Sequence, residues 1–317
     1  MIGVVKLQNC NIKSALVDLF SGCGGFSLGF QKAGYNIVAA FEKWKPAVEV
    51  YKKNFKHCAH EYDLTEGNAR NIVKKYEPNI IIGGPPCQDF STAGLRDEKL
   101  GRAALTIVFA EIVSDVSPQF FVMENVPSAR KSSVYAHAID IFRKSGFGLT
   151  EKILDASYCG VPQTRKRLFL IGNKGAKDNF LDLYLERNLS ATPMTIYEYL
   201  GDSLGVEYYF RVPTNYKRRG VYSIYEPALT IRCIDRPIPK GYKGHPNDPV
   251  EIGPKVRALT IIERSYIQTF PKDFVFEGTK SDLNQMIGNA VPVRLAEYIA
   301  RAISEYTDDI EKGGVPI

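Results

Sequence analysis

Two prolines brace a cysteine in Gly83-Gly84-Pro85-Pro86-Cys87-Gln88, directly after the apolar run at 79–82. Proline fixes φ and pushes the residue before it toward extended backbone, so the Cys87 thiol is presented from a stiff, glycine-preceded support. Such a thiol is a candidate nucleophile, and thiolate chemistry needs a cationic setting. Arg165 and Arg167, in Gln163-Thr164-Arg165-Lys166-Arg167, are the candidates to provide it. They occupy alternate positions before the apolar run at 168–171, so they either point at one site together or form a polar strand edge. Glu124 follows the apolar run at 120–123 and can face the same crevice as Cys87.

A second cluster suits a nucleoside. Gly22, Gly24 and Gly25 follow the apolar run at 15–20 and open a helical pattern that Gly34 stops. Glycines there let main-chain amides approach a ligand, and the helix N-terminus favours electron-rich groups. Glu42 ends the next apolar run, twenty residues after Gly22, where a carboxylate takes ribose hydroxyls. Ser27 stands at the last glycine position of the dinucleotide fingerprint, which disfavours a pyrophosphate ligand. A ligand with one ribose and no pyrophosphate fits, and S-adenosylmethionine is one.

The elements that must position these residues read as an α/β fold, a doubly wound and mostly parallel sheet. The β-branched runs at 15–20, 36–41, 79–82, 120–123 and 168–171 suit strands buried on both faces, with helices at 103–116 and 135–145. After Gly172 the rhythm breaks, which divides the chain into a catalytic and cofactor-binding domain at 1–173 and a smaller second domain at 174–254. The segment 255–317 returns to the first domain, with helical patterns at 256–269 and 293–306. With 317 residues, 44% hydrophobic and 24% charged, the chain is that of a globular protein with a sizeable core. No stretch approaches the ~18 apolar residues of a membrane span. The first ten residues lack a secretory core, so a cytoplasmic location with six reduced, unpaired cysteines is expected. His57, Cys58 and His60 match no common zinc spacing and read as an exposed turn after a helix; no metal is expected. The net charge of +6 is concentrated between Arg211 and Lys243, where eight basic residues face two acids. That window is either a solvated loop or a footprint for a polyanion such as nucleic acid.

Taken together and in order, these motifs resemble the DNA (cytosine-5) methyltransferases of bacterial restriction–modification systems. The resemblance is carried by DLFSGCGG at 18–25, GGPPCQDFS at 83–91, ENV at 124–126, QTRKR at 163–167, RALTIIERSYIQTFP at 257–271 and QMIGNAVP at 285–292. The chain departs from the family where Tyr266 replaces a frequent arginine and Lys43 a frequent tryptophan. An RNA cytosine-5 methyltransferase on the same fold would carry a Cys-Phe-Thr element that this chain lacks.

The resemblance implies methyl transfer from S-adenosylmethionine to C5 of a cytosine flipped out of double-stranded DNA, protecting that DNA from a cognate endonuclease encoded nearby. It implies that Cys87 adds to C6, that Glu124 protonates N3, and that Arg165, supported by Arg167, holds the base carbonyl. Phe20, Cys23, Gly24, Gly25, Glu42, Lys43, Asp63, Leu64, Pro85, Leu105, Asn289 and Val291 would line the cofactor site. Gln88, Ser91 and Arg102, in a segment with Gly94 and Gly101 as hinges, would close over DNA. The basic window falls where the family has its target recognition domain. There Thr230 resembles part of a short Thr-Leu element, Arg232 and Arg236 would read bases, and Lys217, Arg218 and Arg219 would contact phosphates. A monomer is expected.

Overall fold

The computed structural model describes residues 13–86, 104–214, 218–234 and 236–313. The first part of the chain runs β1 (Lys13–Leu19), α1 (Gly25–Lys32), β2 (Tyr35–Glu42), α2 (Lys45–Asn54), β3 (Cys58–Glu61), α3 (Ala69–Lys74), β4 (Ile80–Gly83), α4 (Ala104–Val116), β5 (Phe120–Asn125), α5 (Ser133–Lys144), β6 (Phe147–Asp155), β7 (Gln163–Thr164) and β8 (Lys166–Lys174). Seven of these strands form one sheet in the order β3-β2-β1-β4-β5-β8-β6. β3, β2, β1, β4 and β5 are parallel, and β8 joins β5 and β6 antiparallel. This is the mostly parallel α/β architecture expected.

Alternation of side chains explains why the strands read as unbroken apolar runs. Leu16, Ile80, Ile82, Val122, Phe169 and Ile171 face one helical layer, while Val17, Leu19, Ile81, Phe121, Met123, Leu168 and Leu170 face the other. A strand covered on both sides has no polar face to show.

Beyond β8 the chain continues through α6 (Asp182–Glu186), α7 (Ile196–Leu200), β9 (Tyr208–Phe210), β10 (Val221–Ser223), β11 (Ala228–Leu229), β12 (Val256–Ala258), α8 (Ile261–Ile267), α9 (Lys280–Asn289) and α10 (Val293–Glu311). A small sheet is ordered β10-β9-β12, and β11 pairs with β7. Two sequence expectations are corrected here. The segment 256–269 is not one helix: Val256–Ala258 is a strand, and helix α8 starts at Ile261 because Thr260 and Glu263 form a capping box. His57 to His60 is no exposed turn. Cys58–Glu61 is the edge strand β3, His60 stacks on Phe41 and bonds the Tyr76 hydroxyl, and His57 bonds Tyr51. Among the described residues no helix is long and apolar enough to cross a membrane.

A buried polar chain ties the first two helices to β1. Ser27 donates to Asp18 Oδ2 at 2.6 Å, Tyr51 donates to Ser27 at 2.7 Å, and His57 Nε2 lies 2.7 Å from the Tyr51 oxygen. Burial pushes the Asp18 carboxyl up to about 8 against the pull of the Ser27 bond, with Glu42 adding to the rise. Burial also holds His57 down to about 4. Both shifts favour the neutral form of the end group, which spares the network a buried charge.

The 19-residue helix α10 lies on α1, closing the fold beside the first strand. Gly29 permits this approach: a Cβ there would lie 2.4 Å from both the Ala296 Cβ and the Val293 carbonyl oxygen. In an open helix Gly→Ala stabilises by about 1 kcal/mol. Here we expect Gly29→Ala to destabilise by about 1–3 kcal/mol, because the clash is with backbone. Thermal unfolding followed by circular dichroism checks the sign, and an unchanged or raised midpoint would contradict this packing.

Candidate active site

Strand direction brings the motifs to one rim. In the register of the parallel strands, Leu19 pairs with Phe41 and Gly83, and Gly83 with Met123. The glycine turn, Glu42, the Gly-Gly-Pro-Pro segment and Glu124 thus all leave the sheet at its carboxyl edge, where α/β enzymes bind ligands. β8 runs the other way, so its first residues reach the same rim: Leu168 pairs with Asn125 and Arg167 with Leu154.

In the cofactor corner Phe20, Gly22 and Gly24 have positive φ (58°, 54° and 96°), which turns the chain sharply out of β1. Gly24 must be glycine for packing as well, because a Cβ would lie 2.4 Å from the Phe55 ring. Glu42 locks the turn to β2, accepting from the Gly22 amide at 2.9 Å and the Trp44 amide at 2.8 Å. A Cβ at Gly22 would meet nothing within 4 Å, so the turn faces open space. Lys43 bonds Asp63 at 2.7 Å. Partial burial opposes ionisation of Asp63, yet its bonds to Lys43 and Thr65 hold the carboxyl below its ordinary value. Leu64 and Val291 are buried, Leu105 is half-buried at the start of α4, and Asn289 is exposed at the end of α9. Val291 reaches the corner from the far end of the chain, its carbonyl oxygen 2.4 Å from where a Gly25 Cβ would be. Cys23 is buried, which pushes its thiol up to about 12 and leaves it inert.

In the reacting corner Glu124 Oε1 lies 2.8 Å from Arg167 Nε, with both side chains close to nine-tenths buried. The other carboxylate oxygen would be 3.3 Å from a Cβ on Gly84, so Glu124 stands against the segment that leads to position 87. Asn125 holds that segment too, donating to the carbonyl of the buried Pro85 at 3.3 Å. Cys87, Gln88, Ser91 and Arg102 lie outside the described residues.

The two arginines have unlike surroundings. Arg165 is 1% exposed and donates to the carbonyls of Ile231, Gly288 and Ala290 at 3.1–3.2 Å. Burial, and then neighbouring Arg167, lowers its guanidinium to about 9 against the pull of Glu124. Gln163 works beside it, donating to Gln268 at 2.7 Å and accepting from the Ile231 amide at 2.7 Å. Sequence reasoning quoted Gln163 inside a motif without giving it a task. Gln268 and the Asp18–Ser27–Tyr51 chain were also missed, although Asp18 and Gln268 stand in quoted motifs.

Residues of the basic window diverge as well. Thr230 donates to the Thr164 carbonyl at 2.8 Å, laying its loop along β7. Arg219 pairs with Glu226 and sits over the Tyr222 ring. Arg232 is half-buried, whereas Arg218 and Arg236 are exposed; Lys217 lies outside the described residues.

The model of the C-5 cytosine-specific DNA methylases matches residues 14–206 and 187–305. The chain is 58% identical over 293 residues to the type II methyltransferase M.HindV of Haemophilus influenzae, covering 92% of this chain and 96% of that one. It is 49% identical over 291 residues to M.HgiDI of Herpetosiphon aurantiacus, covering 92% and 94%. In fold it matches the Dnmt2 methyltransferase of S. pombe with a TM-score of 0.67 at 16% identity, covering 92% of this chain and 99% of that one. The chain belongs to the C-5 cytosine-specific DNA methylase family and is a DNA cytosine-5 methyltransferase.

Proposed function

We propose that this enzyme methylates a cytosine that it flips out of double-stranded DNA, by transient covalent addition of Cys87 to the base, and that it serves a restriction–modification system. The observation that carries the reading is the Glu124 carboxylate, ion-paired to Arg167 and set against Gly84, three residues before Cys87. S-adenosylmethionine is the proposed donor. It fits the open glycine turn, whose amides and Glu42 would hold its nucleoside, with Phe20, Asp63, Leu64 and Val291 around it and Lys43, Leu105 and Asn289 at the edge. When bound, it supplies an electrophilic methyl group.

The residues of the chain do the rest. Cys87 as thiolate forms a bond to C6, and the electron pair of the C5–C6 double bond moves toward C5 and N3. Glu124 hydrogen-bonds N3 and passes it a proton drawn from solvent, so no anion accumulates on the ring. Arg167, held by Glu124, is placed to steady the base carbonyl and its developing charge, with Arg165 keeping the surrounding backbone in position. After methylation N3 returns its proton to Glu124, water takes the C5 proton, and the electron pair left at C5 restores the C5–C6 double bond and expels Cys87 as thiolate. Burial of Glu124 and Arg167 keeps water from competing with these contacts. Outside the rim, the exposed Arg236 reads bases and Arg218 contacts phosphate. The protein acts in the cytoplasm as a monomer, on DNA that a cognate endonuclease would otherwise cut.

The first test is Cys87→Ala with radiolabelled methyl donor and duplex DNA, the target being located by bisulfite sequencing. We expect methyl transfer to vanish while duplex binding survives; persisting methylation would contradict the mechanism. The two arginines should then separate. Arg167→Lys should lower kcat roughly a hundredfold with little change in melting temperature. Arg165→Lys should cost about 1–3 kcal/mol of stability through its lost carbonyl partners. Turnover combined with thermal unfolding checks both, and equal effects of the two variants on each quantity would refute the division of labour.

A further inference from the structure

Three arginines line one pocket of the smaller part of the molecule with no acid among its described lining residues. Its walls are Tyr209, Phe210, Val212, Ile231, Ile234 and Leu259, and the cations are Arg211, Arg232 and Arg264. The three guanidinium groups brace the backbone of the surrounding loops. Arg211 donates to the Thr230 carbonyl at 2.8 Å, Arg232 donates to the Val212 carbonyl, and Arg264 donates to both the Arg232 carbonyl and Asn284. The loops around 211 and 231 are thereby laced together reciprocally, and helix α8 anchors the second of them.

We propose that Arg211 and Arg232, braced by Arg264, form a socket for one phosphodiester of the DNA backbone, which makes Arg232 a phosphate ligand and not a base reader. The proposal rests on the reading of the basic window as the DNA-facing part of the enzyme. Reading a base edge requires a side chain that extends several ångströms into a groove. Arg264 is 6% exposed, Arg211 and Arg232 are half-buried, and each spends a donor on a main-chain carbonyl. The remaining N–H groups of Arg211 and Arg232 are held at the protein surface, where a backbone phosphate pressed against the loops can take them but a base edge cannot. Arg236, exposed in the same loop, has the freedom that base reading needs.

Electrostatics agrees. Burial lowers the Arg211 guanidinium to about 10, and Arg232 and Arg264 push it in the same direction, so the cations repel one another in the free protein. An anion relieves that repulsion, and guanidinium forks match phosphate oxygens in geometry as well as charge. Thr230, whose loop Arg211 holds, also lies along β7, so a phosphate seated here fixes the strand relative to the rim.

The test compares the intact enzyme with Arg232→Gln, Arg232→Lys and Arg211→Gln. Binding is measured by fluorescence anisotropy on the methylated-site duplex and on a random duplex, across a range of salt concentrations. Binding of duplex by the unaltered enzyme checks the underlying reading first, since its absence would remove the DNA-facing assignment itself. We expect Arg232→Gln to weaken both duplexes by the same factor, roughly tenfold, and to flatten the log–log salt slope by about 0.9, while Arg232→Lys keeps the slope. A scan of single neutral methylphosphonate linkages should then find one position that weakens the unaltered enzyme about as much, yet weakens Arg232→Gln and Arg211→Gln hardly further. The socket is overturned if Arg232→Gln keeps the salt slope and loses discrimination between the two duplexes. It is equally overturned if no linkage shows the coupling while circular dichroism finds the variants folded.

Discussion

A buried positive charge whose bonded partners among the described residues are main-chain carbonyls organises this enzyme. Taking a guanidinium out of water is costly unless its donors are met, and Arg165 directs its two terminal nitrogens to three main-chain carbonyls, leaving the buried Nε without a bond among the described residues. One belongs to the loop after β11 and two to the end of α9 and the turn beyond it, segments more than 60 residues further along the chain. Any arrangement that separates them leaves the charge without partners. The start of the basic window and the returning C-terminal segment are thereby fixed to the same point of the sheet, and Gln163 with Gln268 repeats the bond on the neighbouring residues.

The consequence is felt at the rim. Because β8 enters the sheet antiparallel, its first residues arrive beside the carboxyl ends of β4 and β5, and Arg167 lands on Glu124. Arg165 is tied to the returning backbone and Arg167 to Glu124 at the rim, although a single residue separates them. At the other end of the rim Glu42 closes the glycine turn with its two oxygens, and the main chain at Val291 packs against Gly25. Glu124 is thus held from β8 and the glycine turn from β2, the arrangement that keeps a site preorganised.

Much of this was legible in the sequence. Strands buried on both faces leave uninterrupted apolar runs, and glycine or proline at their ends marks the rim, so β1, β2, β4, β5 and β8 and their motifs could be read directly. The strand β6 could not, because Glu151 and Lys152 break its apolar pattern at the sheet edge. Residues 256–269 carry apolar side chains at helical spacing, and the overriding signal was local: Thr260 and Glu263 at capping-box distance. The strands of the smaller sheet are three residues each, too short for any periodicity. The different partners of Arg165 and Arg167 could not be read either, since alternation places two side chains on one face but does not say which one the chain's end will cover.

The proposed reaction turns on a covalent bond between the Cys87 sulfur and C6 of the target cytosine. A duplex carrying 5-fluorocytosine at the methylated position tests it most directly, because fluorine cannot leave as the C5 proton does and the adduct has no exit. Incubated with enzyme and methyl donor, this duplex should give a protein–DNA conjugate that survives denaturing electrophoresis and maps to the peptide containing Cys87. Free protein alone on such a gel, from enzyme that methylates the unmodified duplex normally, would contradict the mechanism.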